Sequence, residues 1–480
     1  MKVLRRALYL THRWLGLGMG LLMAGWCASG IVMLWHTWPQ PDDRALAHVP
    51  AEIQWPAHLP NLRDLDRDKR FQAFQISMVG QEPVLTLTPE NGPPFALDLR
   101  TGLAGRIPPA DAATSALRYA RATGAQGQPV FDGLTTDDQW VLDTPGRKHG
   151  FYRFLFPDVH HTQVYVSSLT GDVMQATTRT TRVWAWVGAI PHWLYPAVLR
   201  KHPILWQRVV IVLSGTGVFL TVTGLWIGVL RLRRKSPFTP YRGWHCVHHL
   251  SGTIFGLLAL LWVTTGLLTM SPGGLFHSKP DAVNPLRVTG TVTGAEIQAL
   301  LSRLDTTAPT GWTGVKSTLL DGHVFLQAQQ NSAFQRLDET LAPAPFTKEQ
   351  LVQFLRPAGL LKTAESLTFL TSADAYYFSR PTHKRHFPVW RAQAADGTLI
   401  YLDAQSGAVL AMLDQPARQS RWLVYGFHDL DFWPWLRDAP THWGIALPLL
   451  TSVFCVFLSG VIIGIRRLRL MRRSRMKRPG

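Results

Sequence analysis

Cysteine and charge are what this 480-residue sequence has least of. Its three cysteines, Cys27, Cys246 and Cys455, lie in or beside apolar runs and cannot build a disulfide framework. A disulfide-stapled secreted miniprotein is therefore excluded. Charged residues make up only 17% of the chain, too few for a disordered polyelectrolyte. Acidic residues are scarcer still: 31 Asp and Glu stand against 49 Lys and Arg, a formal net charge of +18. No Walker loop, CxxC or HExxH occurs, which removes the nucleotide-cradling, thiol-redox and zinc-protease signatures. Gly16, Gly18 and Gly20 imitate part of a dinucleotide loop, but they sit inside an apolar run and follow no strand.

Apolar residues, by contrast, are abundant. Nineteen Trp and 39 Gly accompany four long apolar runs, Leu8–Leu34, Trp206–Leu230, Val247–Met270 and Ile445–Ile465. Each has about 20 or more mainly apolar residues, the length a helix needs to cross a bilayer. The first run is too long for a cleaved signal and lacks a clear cleavage site. Trp26 also stands where a lipoprotein reading of Cys27 would need a small residue. It is expected to be a retained helix. Residues 1–8, 231–244 and 466–480 hold sixteen Lys and Arg and not one Asp or Glu. That is the positive-inside pattern, which predicts both termini and the middle loop in the cytoplasm. The two long segments would then lie on the opposite face. Nucleic acid is not an expected partner, because the basic excess flanks the spans and forms no aromatic-interleaved patch elsewhere.

The chain is written twice, at an offset of 236 residues. His12, Gly16, Gly20, Trp26 and Gly30 return as His248, Gly252, Gly256, Trp262 and Gly266. Gly224 and Gly228 return as Gly460 and Gly464, Tyr165 as Tyr401, Gly171 as Gly407, and His192 as His428. A register shared by separated segments implies duplication of a span–outer domain–span unit. Because both copies start on the same side, their relating axis should run along the membrane normal. The outer segments read as α/β. Alternation predicts strands at 71–78, 83–88, 95–99, 139–143, 151–156 and 163–167, with a helix at 111–122. The second segment repeats the plan, with helices at 296–304 and 348–355 and strands at 324–329, 391–393 and 399–402. Hairpins are expected at 164–174 and 399–410, each turning on a glycine.

HRWLGLGMGLL at 12–22, VHHLSGTIFGLL at 247–258, PHWL at 191–194, FHDL at 427–430 and the two hairpins resemble the PepSY-associated transmembrane proteins. The resemblance covers essentially the whole chain. Some members of that family are inner-membrane reductases of ferric siderophores carrying b-type haem. The resemblance implies a bacterial inner-membrane location, periplasmic PepSY-like domains, and a ferric siderophore or other ferric chelate as electron acceptor.

Histidines inside spans need an explanation, since ionisable groups there are costly. His12 and His248 each stand above glycines four and eight positions on: Gly16 and Gly20, Gly252 and Gly256. Those positions share a helix face, leaving a groove in which a flat macrocycle ligated by the imidazole would fit. The same stripe also suits plain helix packing, but its repetition in register favours the groove. His245 and His249 are reserve ligands; their repeat partners, Tyr9 and Arg13, make His248 the better choice. His192 and His428 precede the second and fourth spans in aromatic surroundings and are expected to hold a second haem. Asp429 and Asp431 flank His428 and are candidates to hydrogen-bond its imidazole. Trp140, Trp312 and Trp390 are candidates for an acceptor-docking surface.

The expected architecture is therefore a four-helix, internally duplicated membrane protein with two outer α/β PepSY-like domains. Its divisions are 1–36, first span; 37–200, first outer domain; 201–234, second span; 235–271, cytoplasmic loop and third span; 272–440, second outer domain; and 441–480, fourth span and basic tail. The expected activity is electron relay through two haem b groups ligated by His12, His248, His192 and His428. Since no nicotinamide or flavin domain is visible, the donor must be a separate protein, a quinol or a soluble reductant. The competing expectation is a haem-free, membrane-anchored PepSY binding or regulatory protein.

Overall fold

A computed structural model describes residues 2–60, 62–236, 238–307, 310–330, 333–338, 340–380 and 384–476. The chain forms two units: one gathers Met1–Trp38, Val183–His277 and Ala417–Gly480, the other Pro39–Arg182 and Ser278–Pro416.

The first unit is a four-helix bundle of Lys2–Met33, Pro203–Arg231, Trp244–Leu268 and Ala439–Met476. All four are long and apolar enough to cross a membrane. They run beyond the apolar stretches because a helix satisfies its own backbone groups and can continue into polar sequence. The first and third helices each pack on both the second and the fourth, closing a ring. Met19, Met23, Ala24, Leu220, Ala259, Val453 and Phe457 fill its centre. Its outside is apolar as well, with Leu21, Phe219, Trp226, Ile254 and Leu257 exposed. In water that surface would be an association liability; hydrocarbon is its natural solvent.

The second unit is sheet-rich. Its first segment supplies β1 (Arg70–Val79), β2 (Glu82–Pro89), β3 (Phe95–Asp98), β4 (Ala104–Gly105), β5 (Val130–Thr135), β6 (Phe151–Leu155), β7 (Gln163–Ser167) and β8 (Val173–Thr177). The second supplies β9 (Val292–Thr293), β10 (Gly314–Leu320), β11 (His323–Gln330), β12 (Ala333–Arg336), β13 (Leu367–Leu370), β14 (Val389–Gln393), β15 (Leu399–Asp403) and β16 (Val409–Leu413). Two four-stranded antiparallel sheets, β5-β6-β7-β8 and β13-β14-β15-β16, are the repeated modules. The segments do not stay separate: β1 pairs antiparallel with β10, giving one sheet of order β12-β11-β10-β1-β2-β3-β4 with β9 on β1. Joining the halves pairs two strands that separate domains would have left as edges. The sheet-rich unit is also narrower than 37–200 and 272–440, because residues 183–200 and 417–440 belong with the bundle.

Helices Pro109–Ala122, Gly294–Thr307 and Lys348–Leu355 and both hairpins fall where periodicity placed them. Gly171 and Gly407 take φ of 75° and 71° in the hairpin turns. The strand expected at 139–143 is absent. Asp138 Oδ1 accepts the Trp140 N–H at 3.0 Å, an Asx-type turn that competes with extension. Trp140 and Trp312 are buried and unavailable for docking.

One face of the joined sheet carries a single core built on Phe74, Ile76, Leu85, Leu87, Val315 and Leu319. The other face packs at its two ends against separate cores. Between those cores the register lines up Thr86, Gln75, Lys316, Gln327 and Arg336, all polar, across five strands. Burial pushes the Lys316 ammonium below the usual lysine range, only partly offset by Asp403. Its Nζ lies 3.8 Å from the Phe334 ring centre. A lysine whose folded pKa is lowered destabilises the fold wherever it is charged in both states, and the penalty fades as pH rises toward its unfolded value. Lys316→Met should therefore raise the thermal midpoint at pH 7, with the gain shrinking as pH rises toward the unfolded lysine value of about 10.4 and vanishing above it. A midpoint lowered at pH 7 would show that the ammonium is better satisfied than its burial implies.

Candidate functional site

The four repeated histidines come together as two pairs. His12 on the first span and His248 on the third face each other across the bundle, ring centres 6.3 Å apart. His192, on the short helix Ala189–Trp193, and His428, just after the π-helix Arg421–Gly426, form a second pair, also 6.3 Å apart. Along the first span, His12 and the Trp26–Gly30 level that meets His192 are separated by roughly 25 Å at 1.5 Å per residue. The packed core of the bundle lies between the levels.

Each imidazole is held by the same device. His12 Nδ1 lies 3.2 Å from the Leu220 carbonyl and 3.3 Å from Thr223 Oγ1. His248 Nδ1 lies 3.1 Å from the Val456 carbonyl and 3.0 Å from Ser459 Oγ. His192 Nδ1 meets the Trp26 carbonyl at 3.1 Å and Ser29 Oγ at 3.2 Å. His428 Nδ1 meets Thr265 Oγ1 at 3.1 Å and the Trp262 backbone. A carbonyl can only accept, so Nδ1 carries the proton and the lone pair sits on Nε2. That is the tautomer of a metal-ligating histidine whose other ring nitrogen is anchored.

The spacing suits one metal between each pair. Imidazole nitrogen stands about 2.0–2.1 Å from a bound transition metal and the ring centre about 1.1 Å farther back, so opposed imidazoles place ring centres about 6–6.5 Å apart. Two nitrogens alone are a poor site for a bare ion, and among the described residues no group of three or more His, Cys, Asp or Glu could hold one. A haem, which brings its own equatorial donors, would need from the protein only two nitrogen donors, the number each pair offers.

Backbone detail supports the outer pair. Leu194 and Leu430, each two residues after its histidine, adopt φ of 51° and 52°. Left-handed leucine costs about 1–2 kcal/mol, and both copies keep it. It stops each helix two residues after its histidine. Tyr195 N–H then bonds Ile190 O at 2.8 Å, and Asp431 N–H bonds Gly426 O at 3.2 Å.

The reserve histidines are placed differently. His249 Nε2 donates to Gly228 O at 3.0 Å, and its ring packs edge-on against Tyr241. His245 is exposed and lies beside the same tyrosine. Gly16, Gly20, Gly252 and Gly256 meet helix neighbours: a Cβ there would stand nearest Leu220, Val461, Val456 and Leu225, respectively. Different glycines touch the imidazoles. Cβ atoms at Gly224, Gly460, Gly30 and Gly266 would stand 2.7, 3.2, 3.3 and 3.5 Å from Cε1 of His12, His248, His192 and His428. Asp431 does not bond His428; its carboxylate meets Arg421 at 2.8 Å.

Sequence reasoning missed the anchoring hydroxyls. Thr223/Ser459 and Ser29/Thr265 are related by 236 residues but exchange Ser for Thr, so a search for identities passes over them. The glycine pairs 224/460 and 30/266 were visible as repeat matches without a role. A scan of the chain against protein-family models finds no match, and a search of curated proteins finds none.

Proposed function

We propose that this chain is a membrane oxidoreductase that holds two b-type haems, one between His12 and His248 and one between His192 and His428. The observation that carries the reading is the recurrence, in two separate pairs, of one ring spacing and one Nδ1 anchor that leaves the Nε2 lone pair of each imidazole for a ligand. A haem held by either pair would supply one-electron Fe(III)/Fe(II) chemistry. The protein's own residues orient the imidazoles, fix their tautomer and exclude water from the apolar core between the two levels. With basic flanks marking the cytoplasmic side, His12 and His248 would hold the group that meets a separate donor, whether a protein, a quinol or a soluble reductant. His192 and His428 would hold the group that meets an acceptor beyond the membrane.

The resemblance to PepSY-associated transmembrane proteins makes a ferric siderophore or other ferric chelate the acceptor, in the periplasm of a bacterial cell. One electron converts chelated Fe(III) to Fe(II), which hard oxygen donors hold far less strongly.

The test is a reduced-minus-oxidised spectrum of the detergent-solubilised protein with haem quantified per chain. About two haems per chain with a b-type α band are expected, as two bis-imidazole sites require. One haem would remove one of the sites. None, in cells able to supply it, would leave an anchored binding protein.

A further inference from the structure

The two halves use the same backbone motif to present the outer histidines but lock it differently. In the first half the residue after the left-handed leucine is Tyr195. It is held in an aromatic cage: Trp38, Trp193 and Trp206 meet it edge-on at 5.6, 5.6 and 5.3 Å, and the Arg200 guanidinium lies 4.9 Å from its ring centre. In the second half the equivalent residue is Asp431, and the cage is replaced by a buried ion pair. Arg421 Nη1 lies 2.8 Å from Asp431 Oδ1 with both side chains almost fully buried, 7% and 8% exposed. Arg421 Nη2 also donates to the Asp431 carbonyl at 3.0 Å, and Arg437 Nε donates to the same oxygen at 3.0 Å.

A buried ion pair is a poor source of stability, because desolvation offsets much of its attraction. The first half, where Tyr195 stands in place of the carboxylate, shows that the motif does not require an ion pair. What the pair provides is geometry. It ties the first residue of the π-helix to the residue three positions beyond His428, so the ligand sits inside a loop closed at both ends. Gly426 lets the guanidinium lie against the backbone, for a Cβ there would stand 3.2 Å from Arg421 Nη1.

We propose that Arg421 and Asp431 form a positioning clamp for His428, the counterpart of the cage around Tyr195. The proposal rests on the outer haem site assigned above. The clamp holds the imidazole against Thr265 and toward His192, acting through the position of His428.

The experiment compares wild type with Arg421→Gln, Asp431→Asn, Arg421→Lys and the Arg421→Gln/Asp431→Asn double variant. Low-spin EPR and a potentiometric titration resolve the two haems, while hydrogen exchange follows residues 421–437. The single neutralising variants should shift or abolish one low-spin signal and its midpoint potential while leaving the other unchanged, with faster exchange confined to that segment. Arg421→Lys should restore part of the signal. The double variant, free of an unpaired buried charge, should insert normally yet keep the altered signal. The unaltered inner haem reports that each variant is folded. Two unchanged haem signals in every variant would overturn the clamp and leave the haem reading intact. A wild-type protein without haem would overturn both.

Discussion

Replacing His12 and His248 together by alanine should lower haem content by about half, from two per chain to one, on the proposed assignment of one haem to each pair. The variant should still insert and should keep the spectrum of the outer haem. The bundle has no other need of these imidazoles. Leu220 O and Val456 O also accept from Thr223 Oγ1 and Ser459 Oγ, at 2.8 and 2.7 Å. Losing the histidines therefore strands no buried acceptor, and the remaining cost is a cavity, of the order of 1–3 kcal/mol. His248→Ala alone should remove the same haem, because one imidazole cannot supply both axial bonds. His245→Ala should change neither haem content nor potential. The mirror experiment, His192→Ala with His428→Ala, should remove the other haem only. Pyridine haemochrome quantification of purified variants measures all four. Unchanged haem content in His12→Ala/His248→Ala would sink the inner site.

Much of this site was legible because the chain is duplicated. A single histidine above a glycine stripe fits either packing or a cofactor. Four histidines in register, with both pairs needing an opposed partner, constrain the bundle itself. Sequence could not say which glycines matter, since a 3.6-residue period gives the face of a glycine without the helix that face meets. Gly20 and Gly256 turned out to admit Val461 and Leu225, whereas the imidazoles rest on glycines of the facing helices. Nor could it reveal that β1 and β10 join the halves. Strand Gly314–Leu320 is not among those expected from the sequence, being buried at five of its seven positions rather than alternating, and pairing across about 240 residues leaves no local mark. The missed strand Val130–Thr135 is mostly exposed and interrupted by Gly133 at φ 109°, so it lacks the apolar alternation that announces a strand. Conversely, the Trp140–Leu142 run is buried without being extended, because Asp138 turns the chain beneath it.

The glycines that carry the imidazoles make the second large prediction. An added Cβ at Gly224 would stand 2.7 Å from His12 Cε1, closer than carbon atoms tolerate, and the nearest groups are all atoms of that ring. The ring must therefore move, and with it Nε2. Gly224→Ala should weaken inner haem binding about tenfold or more, the scale on which disturbing a ligand's support lowers metal affinity. Helix propensity runs the other way, since alanine favours a helix by about 1 kcal/mol over glycine. Loss of haem thus cannot be ascribed to a weakened span. Gly215 on the same helix and Gly25 on the first have nothing within 4 Å of an added Cβ, so Gly215→Ala and Gly25→Ala should leave both haems in place. The remaining sites grade the effect: Gly460→Ala at 3.2 Å and Gly30→Ala at 3.3 Å should act less strongly than Gly224→Ala, and Gly266→Ala at 3.5 Å should be nearly silent. Haem retention during dilution, followed by absorbance, ranks the six variants against wild type. A ranking that follows clearance from the imidazoles requires the ring itself to be the group displaced. Equal losses at Gly215 and Gly224 would mean that any methyl on the second span disturbs the bundle, and the contact with His12 would lose its meaning.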